Sequence, residues 1–174
     1  AFAQAPTVHT IGDSTMEEKS TDPSVNTNGQ RGWPQMLPQF MVNGATLNNR
    51  AKSGTSSKTF YEESRFWTTV KPQIKEGDYV VIQFGHNDAK FSHLAADTGY
   101  TDNLRTFIDE VRSFGATPII VTPLAGNTWN SDKTAYDDTM LSYADACKKI
   151  SAEKHVPIID LHQVSMDFIK RVGS

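Results

Sequence analysis

The stretch Tyr79-Val80-Val81-Ile82-Gln83-Phe84-Gly85-His86-Asn87-Asp88 reads as a strand running straight into a polar, glycine-containing loop. Its apolar residues are near-continuous rather than alternating, which is the pattern of a strand covered on both faces, and parallel sheets bury their strands that way. Working outward, β-branched runs recur at Thr7 to Ile11, Ile119 to Thr122 and Ile158 to Leu161, with a weaker one at Ala45 to Asn49. Stretches of helical period separate them. Leu104, Phe107, Ile108, Val111 and Phe114 mark one face of a helix over Thr101 to Phe114, and Gly115 stops it. Met140, Tyr143, Ala144, Cys147 and Ile150 repeat the spacing, and Met166, Ile169 and Val172 begin a further helix. This alternation predicts a doubly wound α/β domain on a parallel five-stranded sheet.

A chain of 174 residues supports one hydrophobic core, so one site is sought. With 37% hydrophobic and 21% charged residues the composition is that of an ordinary globular protein. A net charge of -3 leaves no basic footprint for nucleic acid, and no apolar run approaches the roughly 20 residues that span a bilayer. The single cysteine, Cys147, excludes a disulfide framework and a cysteine-built metal site. It falls on the core face of its helix and is expected to be a small buried hydrophobe. Ala1-Phe2-Ala3-Gln4 reads as the small-x-small tail of a signal peptide. Residues 1-6 are therefore expected to be a leader remnant or disordered N-terminus, and 7-174 the domain.

Functional groups in such sheets gather at the carboxyl ends of the strands. Three polar loops fall there: Gly12-Asp13-Ser14-Thr15-Met16, Asn49-Arg50-Ala51-Lys52-Ser53-Gly54 and Gly85-His86-Asn87-Asp88. A serine directly after a buried strand and a glycine holds its hydroxyl at the sheet edge, where it suits acyl transfer. The tetrahedral oxyanion of that reaction needs fixed donors, worth about 3 to 4 kcal/mol each. The Ser14 N-H, the Gly54 N-H and the Asn87 side-chain amide are the candidates. Taken singly, Gly-Asp-Ser is a turn with a capping serine, Gly54 a turn glycine and Asn87-Asp88 a helix cap. Their combination at three strand ends favours chemistry.

These blocks resemble the SGNH (GDSL-like) hydrolases. Ile11-Gly12-Asp13-Ser14-Thr15-Met16, Gly32-Trp33, Asn49 through Ser56 and Gln83 through Asp88 are similar to the rhamnogalacturonan acetylesterase branch, and the likeness runs from about Val8 to Val172. The resemblance implies a three-layer α/β/α, flavodoxin-like fold without metal or cofactor. It implies that Ser14 is the nucleophile, that Gly54 and Asn87 complete the oxyanion hole, and that acetyl groups leave pectic or related polysaccharides through an acyl-serine intermediate. The implied partner is an acetylated polysaccharide or oligosaccharide, with no nucleic acid and no membrane, and the implied location is secreted or periplasmic. Asp13 and His86 are assigned to substrate contact. Among Trp33, Trp67, Tyr100 and Trp129, only Trp129, in the loop beyond the fourth strand, is expected near the site.

The family carries its base in a late Asp-x-x-His motif, and this chain contains none. Two explanations stand. The base and the closing C-terminal helix lie beyond Ser174, leaving an apolar patch that self-association or a complementing C-terminal fragment would cover; or another histidine substitutes. His162 is the best substitute, because it follows the fifth strand and shares a strand face with Asp160. A Rossmann-type binding domain predicts a G-x-G-x-x-G loop after the first strand, which is absent. A non-catalytic carbohydrate-binding relative remains a rival, since it would keep the cleft and lose the base.

Overall fold

The computed structural model describes residues 5–42 and 44–173. Residues 1–4, where the leader-like tail was read, lie outside the described residues. Five parallel strands form one sheet in the order β2-β1-β3-β4-β5, with β1 at Thr7–Gly12, β2 at Thr46–Asn49, β3 at Tyr79–Gln83, β4 at Thr117–Val121 and β5 at Ile158–Ile159. Helices α1 (Ser57–Glu62), α2 (Trp67–Val70), α3 (Gly99–Ser113), α4 (Leu141–Lys154) and α5 (Leu161–Val172) alternate with them. The α/β class and the parallel five-stranded sheet expected from the apolar runs are present.

Register decides which face each residue supplies. Ile11 pairs with Ile82 and Ile82 with Ile120, so these side chains share one face. That face holds the main core, where they meet Phe60 of α1, Trp67 of α2, Leu104, Phe107 and Val111 of α3, and Cys147 and Ile150 of α4. The stacked Phe84 and Phe107 rings, 5.6 Å apart, sit within it. Trp67 and Tyr100 are fully buried, so neither reaches a substrate.

The opposite face is thinly covered. Met16, Ala51, Val81 and Val121 form a small cluster with Val8, Trp33, Ile119 and Leu161 around it. Its cover is a 3-10 segment, Trp33–Phe40, and the first residue of α5. Tyr79 and Ile159 remain 39% and 50% exposed, and Val164, Phe168 and Val172 leave an apolar stripe of α5 in solvent.

The fifth strand ends sooner than its apolar run suggests. Asp160 caps α5, its carboxylate accepting the Gln163 N-H at 3.2 Å, and Leu161 and His162 are already helical. The expected strand face shared by Asp160 and His162 is therefore not formed. At the opposite, amino edge of the sheet, a cavity of about 550 Å³ is lined by His9, Asn48, Gln73 and Asp78. Buried His9 is held there by Asp78 at 2.9 Å and Asn48 at 2.9 Å, away from the carboxyl-end loops.

Candidate active site

Gly12 ends β1 because nothing larger fits: a Cβ there would lie 2.3 Å from Met16 Sδ and 2.5 Å from the Gln83 carbonyl. The chain then turns tightly, with the Asp13 carbonyl accepting from Met16 N and Glu17 N at 3.1 Å each. Asp13 is fully buried, and its Oδ1 accepts the Thr15 N-H at 3.0 Å. The Thr15 hydroxyl lies 2.8 Å from Asp13 Oδ1 and 3.0 Å from Gln83 Oε1, one proton between two acceptors. Asp13 thus shapes the turn, and the substrate contact expected of it is corrected, because a carboxyl without exposed surface presents nothing to a ligand. Ser14, at the apex, is exposed. Among the described residues neither its hydroxyl nor its N-H forms a hydrogen bond.

The loop after β2 is sewn to this turn. Lys52 N-H donates to the Gly12 carbonyl at 2.9 Å, and the Thr55 hydroxyl donates to the Lys52 carbonyl at 2.8 Å. Gly54 is exposed with φ +82, a left-handed conformation that favours glycine, and the space where a side chain would stand is open. Its N-H is unpaired among the described residues. Glu17 clamps the loop from outside, accepting from Lys19 Nζ at 2.7 Å, from Lys52 Nζ at 2.8 Å and from the Ser53 hydroxyl. Burial works to raise its pKa, but these donors outweigh burial and bring it to about 2.

The loop after β3 supplies Asn87. Its Nδ2 donates to the Thr55 carbonyl at 2.9 Å, and Lys90 Nζ donates to its Oδ1 at 2.8 Å. An amide carries two hydrogens, so one N-H remains to donate elsewhere. Asp88 is fully buried and accepts the Ser57 N-H and hydroxyl at the start of α1. Burial pushes its carboxyl above the ordinary range despite these bonds. His86 is half-buried, and its Nε2 lies buried without a partner among the described residues. Strand spacing is about 4.8 Å, so loops after β2, β1 and β3 stand side by side on one rim.

The remaining sequence candidates lie further along that rim. Trp129 is half-buried in the loop after β4, bridged antiparallel to Tyr136. His162 is 1% exposed, and its Nε2 meets Asp138 Oδ1 at 2.8 Å. Among the described residues no hydrogen bond joins it to Ser14. Gln83 is the hub that sequence reading passed over. It takes the Trp33 indole N-H at 2.7 Å and gives its own amide to the Thr122 carbonyl at 2.8 Å, tying Ser14's turn to β4. Its signals were a polar residue inside an apolar strand and its place at the head of the block Gln83 through Asp88.

Comparison with known proteins bears on these loops. The GDSL-like Lipase/Acylhydrolase family matches residues 10–171. Rhamnogalacturonan acetylesterase RhgT of Bacillus subtilis (strain 168) is 34% identical over 154 residues, covering 88% of this chain and 64% of that protein. The probable rhamnogalacturonan acetylesterase YesY of the same strain is 32% identical, covering 96% of this chain and 71% of that protein. The crystal structure of YxiM from Bacillus subtilis superposes with a TM-score of 0.80 at 26% identity, over 97% of this chain and 47% of that one. Axe2, an acetylxylan esterase from Geobacillus stearothermophilus, shares the fold with a TM-score of 0.66 at 21% identity, over 92% of this chain and 81% of that one. The chain thus spans under two thirds of the length of the first relative it matches and about half that of YxiM. From residue 10 to residue 171, across all three rim loops, the chain belongs to the GDSL-like lipase/acylhydrolase family.

Proposed function

We propose that this chain carries the nucleophile and the oxyanion donors of a serine esterase that removes acetyl groups from pectic (rhamnogalacturonan) or related polysaccharides. The observation that carries the reading is the exposed Ser14 hydroxyl beside unpaired N-H groups of Ser14 and Gly54 and the Asn87 amide, on three adjoining strand ends. Ser14 Oγ adds to the acetyl carbonyl carbon as its proton passes to a general base. The carbonyl oxygen becomes an oxyanion facing the three donors, each worth about 3 kcal/mol. The bond to the sugar oxygen breaks, that oxygen takes the proton, and acetyl stays on Ser14. Water then repeats the sequence on the acyl-serine and releases acetate.

The base belongs, in this reading, to a segment that complements these 174 residues. One observation supports it: the thinly covered sheet face and exposed stripe of α5 offer a seat for further structure. Self-association would cover the same surface. Secretion or passage to the periplasm belongs to the reading too, since a polymeric glycan is met outside the cell. Hydrolysis of 4-nitrophenyl acetate tests it, comparing this chain, its Ser14→Ala variant and the chain extended past Ser174. Without the base the 174-residue form should lose on the order of 10^4 to 10^6 in rate. Equal Ser14-dependent turnover by the short chain would place the base within it. Turnover by neither form would replace the esterase with a non-catalytic carbohydrate-binding protein.

A further inference from the structure

Residues 122–140 connect β4 to α4, a length that in compact domains belongs to functional or disordered segments. This one is built. Trp129 and Tyr136 pair across it, their rings edge to face with centroids 5.7 Å apart. Asn130 closes its tip, Oδ1 accepting Thr134 N-H at 2.8 Å and Ala135 N-H at 3.0 Å. Three ties then fasten it to one side of α5. Ala125 N-H donates to Ser165 Oγ at 2.9 Å, Lys170 Nζ stands 5.5 Å from the Tyr136 ring centre, and Asp138 meets His162.

Of the three, the last is the costly one to build. An imidazole that is 1% exposed loses its hydration, and burial of that kind persists where a partner replaces the water. His162 is held at its N-H end too, since its backbone amide donates to Thr122 Oγ1 at 2.8 Å, at the end of β4 itself. The hairpin is therefore gripped between the strand it leaves and the helix beyond. Because β4 lies two places from β1, its loop stands about 10 Å along the rim from the loop of Ser14, the reach of a neighbouring sugar on a glycan held there.

We infer that the His162–Asp138 pair is a positioning device for substrate recognition. It fixes the Trp129–Tyr136 hairpin as an aromatic platform on which a sugar flanking the acetylated one stacks. This rests on the reading of the rim as a site for acetylated polysaccharide. Asp138 and His162 act through the hairpin and touch no reacting atom.

The test is calorimetric titration of the 174-residue chain with a rhamnogalacturonan oligosaccharide stripped of acetyl groups, so that turnover plays no part. Trp129→Ala and Asp138→Ala should each weaken binding about tenfold, and the double variant no more than either, since both remove one platform. Asp138→Asn keeps an acceptor for a His162 N-H and should retain most of the affinity. Hydrogen exchange across 124–138 should quicken in Asp138→Ala and not in Asp138→Asn. If Asp138→Ala fails to fold, Ser165→Ala loosens the same hairpin at Ala125 and is read in the same way. Full affinity with a loosened hairpin, or additive losses in the double variant, would overturn the inference, as would wild-type chain that binds no such oligosaccharide. Wild-type binding beside a Ser14 inert in the extended protein would sink the esterase reading and leave this one standing.

Discussion

The Thr55 carbonyl accepts a hydrogen bond from Asn87 Nδ2 at 2.9 Å, and because β1 lies between β2 and β3, that bond passes over the end of the strand that presents Ser14. It fixes one amide hydrogen of Asn87 and so aims the other. Asn87→Ala removes both the strap and an oxyanion donor. The expected loss is about 10^2 to 10^3 in the rate of Ser14 phosphonylation by a small organophosphonate in the extended protein, with little change in saturation. Asn87→Asp keeps the shape, offers no donor and should do no better. Rates within a factor of two of wild type would remove Asn87 from the chemistry.

Gly54 adopts φ +82 with open space at its Cβ position. A Gly54→Ala variant pays roughly 1 kcal/mol or more of backbone strain and points a methyl into the space a substrate would occupy. The melting temperature should fall by a few degrees while Ser14 labelling falls much further. A fall in stability without any fall in labelling would make Gly54 a turn residue only.

Glu17 has a folded pKa of about 2 against an ordinary 4.5, lowered by Lys19, Lys52 and Ser53 against the opposing pull of burial. A depressed carboxylate pKa adds stability that is present above the unfolded value and is lost as pH falls through the folded one. The stabilisation by Glu17 is thus complete above 4.5 and fades towards 2. Melting curves of wild type and Glu17→Gln should differ most near neutral pH and converge across that interval. A gap that is constant with pH would mean that the ion pairs with Lys19 and Lys52 contribute nothing.

Cys147 is fully buried, 3.2 Å from the Tyr100 hydroxyl, and burial pushes its thiol up to about 12. Thiolate is the reactive form, so iodoacetamide should leave the native chain unmodified and react once denaturant unfolds it. Labelling of the native chain, followed by mass spectrometry, would show that the α3–α4 core opens.

The strands, the gathering of three polar loops at their carboxyl ends and the place of Ser14 after β1 were legible in the sequence, because each depends on local pattern: an apolar run, a glycine at its end, a polar tripeptide after it. The burial of Cys147 was legible for the same reason, as one point in a helical period. Long-range pairing decided the rest. Asp13 and Asp88 are both buried, Asp88 against Ser57 31 residues away at the start of α1, and neither tripeptide shows that. Thr55 and Asn87 meet across 32 residues, Glu17 and Lys52 across 35, and His162 finds Asp138 in a loop without periodicity. The early end of β5 was written locally, in Asp160 as an N-cap, but the apolar Ile158 and Leu161 on either side masked it. Sequence determined which residues reach the carboxyl rim, since alternation and strand ends are properties of neighbours along the chain. Only the tertiary structure decided which of them are exposed, which are paired and which are left free to donate, since those depend on strand order and register.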